Sequence, residues 1–217
     1  LSRKYGYKES DYLKAKIFTH APQKSRQVND LIKKMKRQVR INAPQHAATV
    51  HYLNNYGYIP LWVLVKVLSF GIVGELYSVL KREDQNSIAE VYGLDAGTLQ
   101  NYLPILANYR NLCAHEDIVF ENRTQRELEE TIYHKLLKLK QEEGEYVQGR
   151  NDIFALVIII KELLTDMEFK NLTEEIKHIL ENLEYNLKTI TMDKVLARMG
   201  FPANWQELAN ITKKVEE

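Results

Sequence analysis

The sequence predicts an all-α protein, a bundle of helices, and three observations carry that prediction. Apolar residues recur at three- and four-residue intervals, as in Val28, Leu31, Ile32, Met35 and Val39. Glycine and proline fall where one such segment stops and the next starts, as at Gly57 and Pro60. No internal repeat, low-complexity tract or long linker interrupts the 217 residues. That length suits one good-sized domain, alone or with a small subdomain.

The first predicted helix spans 24–41 and surrounds its apolar stripe with Lys33, Lys34, Lys36, Arg37 and Arg40. "APQHAATVHYLNNYG" is a second helix, closed by Gly57. Pro60 then opens "LWVLVKVLSFG", nearly all apolar, where periodicity cannot separate helix from buried strand; the helical surroundings assign it as helix. "IVGELYSVLKR" and "NSIAEVYG" are short helices, and Thr98 is placed to cap the next one, which holds "YRNLCAHED" at 109–117. The charged stretch 125–142 reads as an amphipathic helix, and "EEGEYVQGRND" as a loop. Asn151 or Asp152 caps "IFALVIIIKELL", and helices near 172–188, 191–199 and 204–215 complete the chain.

Composition narrows the function. The longest apolar run, Ile153 to Ile160, falls well short of the ~20 residues of a membrane span. A single cysteine, Cys113, excludes an internal disulfide framework and fits a reducing cytoplasm. The net charge of +1 hides an asymmetry: residues 1–40 hold twelve Lys/Arg against three Asp/Glu, and the remainder eighteen against twenty-six. A basic start of that kind suits a polyanion, RNA above all; the alternative is a solvated helix face. Because the chain opens at Leu1 and not at Met, 1–45 reads as a basic helical segment ending a longer upstream region, and 46–217 as the main helical domain.

Known catalytic signatures are few. His46 and His51 are five apart, not the four that turns two imidazoles to one metal. His115-Glu116 opens like a zinc-protease motif, but Val119 stands where the second histidine belongs. These spacings lead to no expected metal site, and no cofactor is expected either, since phosphate-binding loops and nucleophile elbows are absent. Gly71 and Gly74 read as a packing feature, Cys113 as a small core residue, and Tyr52, Tyr56 and Tyr58 as core-edge rings with base stacking the alternative.

"YRNLCAHED" is different. Leu99, Leu103, Leu106 and Cys113 mark an apolar seam whose missing member is Arg110, and an unpaired buried charge costs several kcal/mol. At 100° per residue Asn111 and His115 lie about 40° apart and Arg110 about 140° from His115, so one helix does not bring all three together. Two readings stay open at this point. In one, Arg110 pairs with a carboxylate and His115 bonds to Asn111; in the other, Arg110 grips a phosphate and His115 moves a proton.

Arg110-Asn-Leu-Cys-Ala-His115 resembles the R-x(4–6)-H motif of HEPN domains. Around it, "IPLWVLVKVLSFGIVGELY" (59–77), "LANYRNLCAHED" (106–117) and "MGFPANWQEL" (199–208) resemble three blocks of the bacterial abortive-infection family, Abi-like, over roughly 50–210. The resemblance implies a HEPN-type helical bundle with additional peripheral helices, acting in phage defence or as a toxin, with an antitoxin as a possible partner. It also implies a metal-independent endoribonuclease whose site forms where two motif helices meet in a homodimer. Arg110, Asn111 and His115 would then be catalytic, and Lys33, Lys34, Lys36, Arg37 and Arg40 would hold single-stranded RNA. Glu116 stands where relatives often carry a second histidine; the alternative function is a non-catalytic module binding a structured small RNA.

Overall fold

The computed structural model describes residues 1–41 and 43–212. Among them the one sheet is a two-stranded hairpin and every other regular element is a helix, in keeping with the all-α class predicted. The chain divides into two compact units, Leu1–Gln100 and Asn101–Glu217. The boundary expected near residue 45 lies inside the first of them. No helix among the described residues is long and apolar enough to cross a membrane.

The first unit runs α1 (Ser2–Tyr5), α2 (Glu9–Tyr12), α3 (Ser25–Ile41), α4 (Ala47–Tyr56), α5 (Leu61–Leu64), α6 (Phe70–Val79) and α7 (Arg82–Ala89). Helix α3 buries Val28, Leu31, Ile32 and Met35 and packs on α6. Gln27 donates to the Ser78 hydroxyl at 3.1 Å across that contact. The N-terminal segment is tied in as well: Lys4 reaches Glu83 and Asp84 at 2.7 and 2.8 Å, and the Tyr5 hydroxyl donates to Asp84 at 2.6 Å. Gly57 ends α4 in the left-handed conformation, φ 72°, that glycine adopts without steric cost. The apolar segment after Pro60 is helical but split. A 3-10 turn over Val65–Val67 follows α5, and the Ser69 hydroxyl, accepting from Ile72 N, starts α6 afresh. A serine able to cap a new helix breaks the ladder that apolarity alone would continue.

Helix α8 (Ala96–Ala114) leads into the second unit, followed by α9 (Ile132–Leu136), the strands β1 (Gln141–Glu142) and β2 (Glu145–Tyr146), α10 (Ile153–Leu163), α11 (Asp166–Asn186), α12 (Met192–Met199) and a 3-10 turn over Trp205–Asn210. The helix expected over 125–142 is only the five residues of α9. Thr124 and Leu128 instead donate their N–H groups to the carbonyls of Asn151 and Arg150, at 2.8 and 2.6 Å, and this long-range pairing replaces a helical ladder. Charged residues reach solvent from either conformation, so the charge pattern cannot choose between them. The predicted loop at 142–152 contains the hairpin, turned at Glu143 and Gly144 with φ 51° and 86°. Asp152 caps α10 by accepting from Ala155 N at 2.9 Å. The Thr165/Glu168 capping box starts α11 six residues ahead of the predicted position. The last predicted helix is a 3-10 turn to Asn210, and residues 213–215 lie outside the described residues.

The core of this unit contains buried ionisable groups with partners, Lys161 and His134 among them. Lys161, fully buried, pairs with Asp166 at 2.7 Å beneath the Phe169 ring. His134 is also fully buried. Its Nδ1 accepts from Thr131 N at 3.1 Å, which leaves Nε2–H to donate to the Gly149 carbonyl at 2.9 Å. Burial holds this imidazole below the ordinary histidine value of 6.5, against the upward pull of the Gly149 carbonyl and nearby Glu130. The unfolded chain then takes up the proton more readily than the folded one. His134 therefore contributes stability that is complete above pH 6.5 and is lost as the pH falls below it. Thermal melts at pH 7.5 and 5.5 test this: the wild type is expected to melt earlier at pH 5.5, with a smaller difference in His134→Gln.

Candidate functional site

The helix that carries the motif is fixed at both ends. Asp95, not Thr98, is its cap: one carboxylate oxygen accepts from Gly97 N at 2.7 Å and Thr98 N at 3.1 Å, while the Thr98 hydroxyl donates to the other. These bonds, the Thr98 hydroxyl first, hold the Asp95 carboxyl below its usual range. Along α8 beyond its first residue, the buried Ala96, the buried residues are Leu99, Tyr102, Ile105 and Tyr109. That stripe is rotated by roughly 65° from the seam drawn through Leu99, Leu103 and Leu106. Two tyrosines complete it, and Arg110 is not part of it.

Arg110 and Cys113 are accordingly exposed, which corrects the expectation of a charge on the core seam and of a core cysteine. Asn111 and His115 are exposed too. The Arg110 guanidinium donates to the Asn111 side-chain oxygen at 3.2 Å, so Asn111 links the arginine to the face that carries His115. Among the described residues no carboxylate pairs with Arg110 or His115, and no side chain bonds to the His115 ring. Nor do three His, Cys, Asp or Glu side chains converge there as metal ligands would.

The C-terminal end of α8 is a Schellman turn. Glu116 N points to Cys113 O at 3.4 Å and Asp117 N to Leu112 O at 2.9 Å, with Glu116 in the left-handed region at φ 56°. His115 is thus the last residue before the chain reverses, and Glu116 occupies the position that glycine fills best. A side chain at such a φ costs about 1–2 kcal/mol. Glu116→Gly is expected to raise stability by about 1 kcal/mol, a melting temperature roughly 2–4 °C higher. An unchanged or lowered melting point in thermal denaturation would contradict it.

The loop beyond is held by Asn122, a residue that no local spacing marks. Its amide donates to the Asn108 side chain at 3.1 Å and its carbonyl accepts from the buried Tyr109 hydroxyl at 3.5 Å, fourteen and thirteen residues back. Burial pushes the Tyr109 hydroxyl up to about 12. Arg123 donates to the carbonyls of Asn122 and Arg198, and Arg198 pairs with Glu121 at 2.8 Å. Ile118 and Phe120, between these anchors and the motif, stay 80% and 40% exposed.

The five basic residues expected to hold RNA lie on α3, in the first unit, and all are exposed. Two have acidic partners: Lys33 with Asp30 at 3.6 Å and Lys34 with Glu75 at 2.8 Å. Among the described residues Lys36, Arg37 and Arg40 have none.

Neither a curated protein nor a solved structure matches the chain. The profile of one family, described as Abi-like protein, matches residues 1–121. The match takes in the basic first forty residues and the blocks at 59–77 and 106–117, and it leaves out the block at 199–208. It covers more than half of the sequence, and the chain belongs to the Abi-like protein family.

Proposed function

We propose that this protein is a metal-independent endoribonuclease of abortive infection, with a HEPN-like site built from the α8 ends of two copies. One observation carries the reading: Arg110, Asn111 and His115 stand exposed together at the end of α8, and no carboxylate among the described residues pairs with the arginine or the histidine. Membership of the Abi-like family supports the defence role. On this reading an RNA 2′-OH attacks the adjacent phosphorus. The O2′–P bond forms, the P–O5′ bond breaks, the 2′-OH loses a proton and the 5′-oxygen gains one. His115 of one copy takes the proton and His115 of the other delivers one. The Arg110 fork holds the non-bridging oxygens as charge builds on them, and Asn111, held by Arg110, orients the phosphate. DNA lacks the attacking hydroxyl and is not cut.

Cleavage of single-stranded RNA in EDTA by wild type and by His115→Ala is the test. Cyclic-phosphate ends from the wild type alone support the reading. Equal cleavage by both proteins, or none by the wild type, sinks it.

Exposed Cys113, Ile118 and Phe120 around the motif suit a face covered by a second copy. Because Cys113 is the only cysteine, a short bis-maleimide is expected to give a covalent dimer that Cys113→Ser cannot form. A chain that stays monomeric under that reagent at micromolar concentration counts against the composite site.

Lys36, Arg37 and Arg40, without an acidic partner among the described residues, favour a second reading, RNA binding without cleavage. Salt-sensitive RNA binding that is equal in wild type and His115→Ala, with no cut product, selects it.

A further inference from the structure

Six aromatic rings meet at the surface of the first unit. Tyr7 stands edge-on to Trp62, with centroids 5.5 Å apart and planes at 84°. Trp62 meets Tyr52 at 6.4 Å and 87°, Tyr52 meets His51 and Tyr56 at 5.7 and 5.3 Å, and Tyr56 meets Tyr58 at 6.3 Å. The rings come from the α1–α2 link, α4, the loop after Gly57, and α5. Rings that merely filled the edge of a core would be covered, yet Tyr7, Tyr56 and Trp62 remain 47%, 58% and 45% exposed. Edge-to-face pairing also covers one face of a ring and leaves the other free for a ligand.

A basic region adjoins this platform. The segment bearing Tyr7 continues into α2, which is fastened beside the platform: Glu9 accepts from Ile59 N at 2.7 Å, and the Tyr12 hydroxyl donates to Ile59 O at 2.5 Å. Glu9, Ser10, Leu13, Lys14, Lys36 and Val39 line a depression of about 280 Å³ between α2 and α3. Exposed rings thus adjoin one end of α2, and Lys36, next to Arg37 on α3, lines the depression beside it. An apolar peptide would use the rings but not the cations, and a bare polyphosphate the cations but not the rings. A single-stranded nucleic acid uses both, stacking its bases while its phosphates follow the charge.

From this arrangement we infer that the first unit holds single-stranded RNA, with bases on the Tyr7–Trp62–Tyr52–Tyr56 platform and phosphates on Lys36, Arg37 and Arg40. The choice of RNA over DNA rests on the proposed cleavage; the track itself stands on the rings and charges.

The test is fluorescence anisotropy with a short labelled oligoadenylate, and with inorganic polyphosphate as the probe of charge alone. Tyr56→Ala and Trp62→Ala are each expected to weaken oligoadenylate binding about 5- to 100-fold, leaving polyphosphate binding and the salt slope unchanged. Trp62→Phe, which keeps a ring, retains most of the affinity. Replacing Lys36, Arg37 and Arg40 with alanine weakens both probes and flattens the salt slope. Wild-type affinity for oligoadenylate in both aromatic variants overturns the inference and leaves the platform to a protein partner. So does an equal loss for the two probes. Failure of the cleavage reading looks different: RNA is bound through Tyr56 and Trp62, and no cut product appears.

Discussion

Replacing His115 with alanine is expected to slow RNA cleavage by about 10²–10⁴-fold, the usual worth of a positioned general acid or base. Folding and RNA affinity should stay at wild-type values. The structure explains why the two effects separate. The His115 ring is exposed and no described side chain bonds to it, so truncation leaves no buried group unsatisfied. Its place is set by backbone bonds, His115 N to Asn111 O at 3.0 Å and the Schellman turn beyond, and alanine keeps these. Arg110→Lys tests the other half of the site. A lysine keeps the charge but loses the planar fork that matches a phosphate and reaches Asn111, so a loss of about 10²-fold or more is expected. If the two residues act as a unit, the double variant is hardly slower than His115→Ala alone. Full multiplication of the two losses would mean that they act in separate steps. A lower melting temperature in His115→Ala would return the residue to a structural role.

The largest expected effect on stability is at Gly200. This residue ends α12 at φ 84°, and a Cβ built on it collides with the carboxylate of Asp152 and lies 2.6 Å from the Asp152 Cβ. Asp152 cannot give way. It is buried, it caps α10 through Ala155 N, and it accepts from Gly149 N at 3.0 Å. Gly200→Ala should therefore cost the left-handed strain of about 1–2 kcal/mol and a further 1–3 kcal/mol from the clash. In a chain of this size that is a melting point lower by roughly 5–15 °C. Gly57→Ala is the control. Its φ of 72° is similar, but nothing lies within 4 Å of the added Cβ, so only the strain remains. Equal melting shifts for the two variants would show that the Asp152 contact carries no weight.

The helical class was legible because periodicity and punctuation agree through most of the chain. Gly57, Pro60 and Asp152 stand at the helix ends where their chemistry puts them. The misplacements share a cause. The stretch 125–142 is held by carbonyls of Asn151 and Arg150, more than twenty residues away, and no local pattern encodes such a partner. The α8 seam was drawn through leucines, whereas Tyr102 and Tyr109 fill the buried face, because tyrosine can bury its ring when its hydroxyl finds a carbonyl. That substitution turned Arg110 outward and changed the meaning of its charge. The motif was legible as a spacing; its exposure, its Arg110–Asn111 bond and the free rings around Trp62 are properties of the folded chain.

The proposed two-copy site at the end of α8 carries a consequence for dosage. A site that one copy cannot complete has an output governed by mass action: far below the dissociation constant, the amount of active species rises with the square of the protein present. A cell could then carry a low resting level of such a nuclease with little damage to its own RNA. A modest rise in concentration, or any ligand that holds two copies together, would release a disproportionate response.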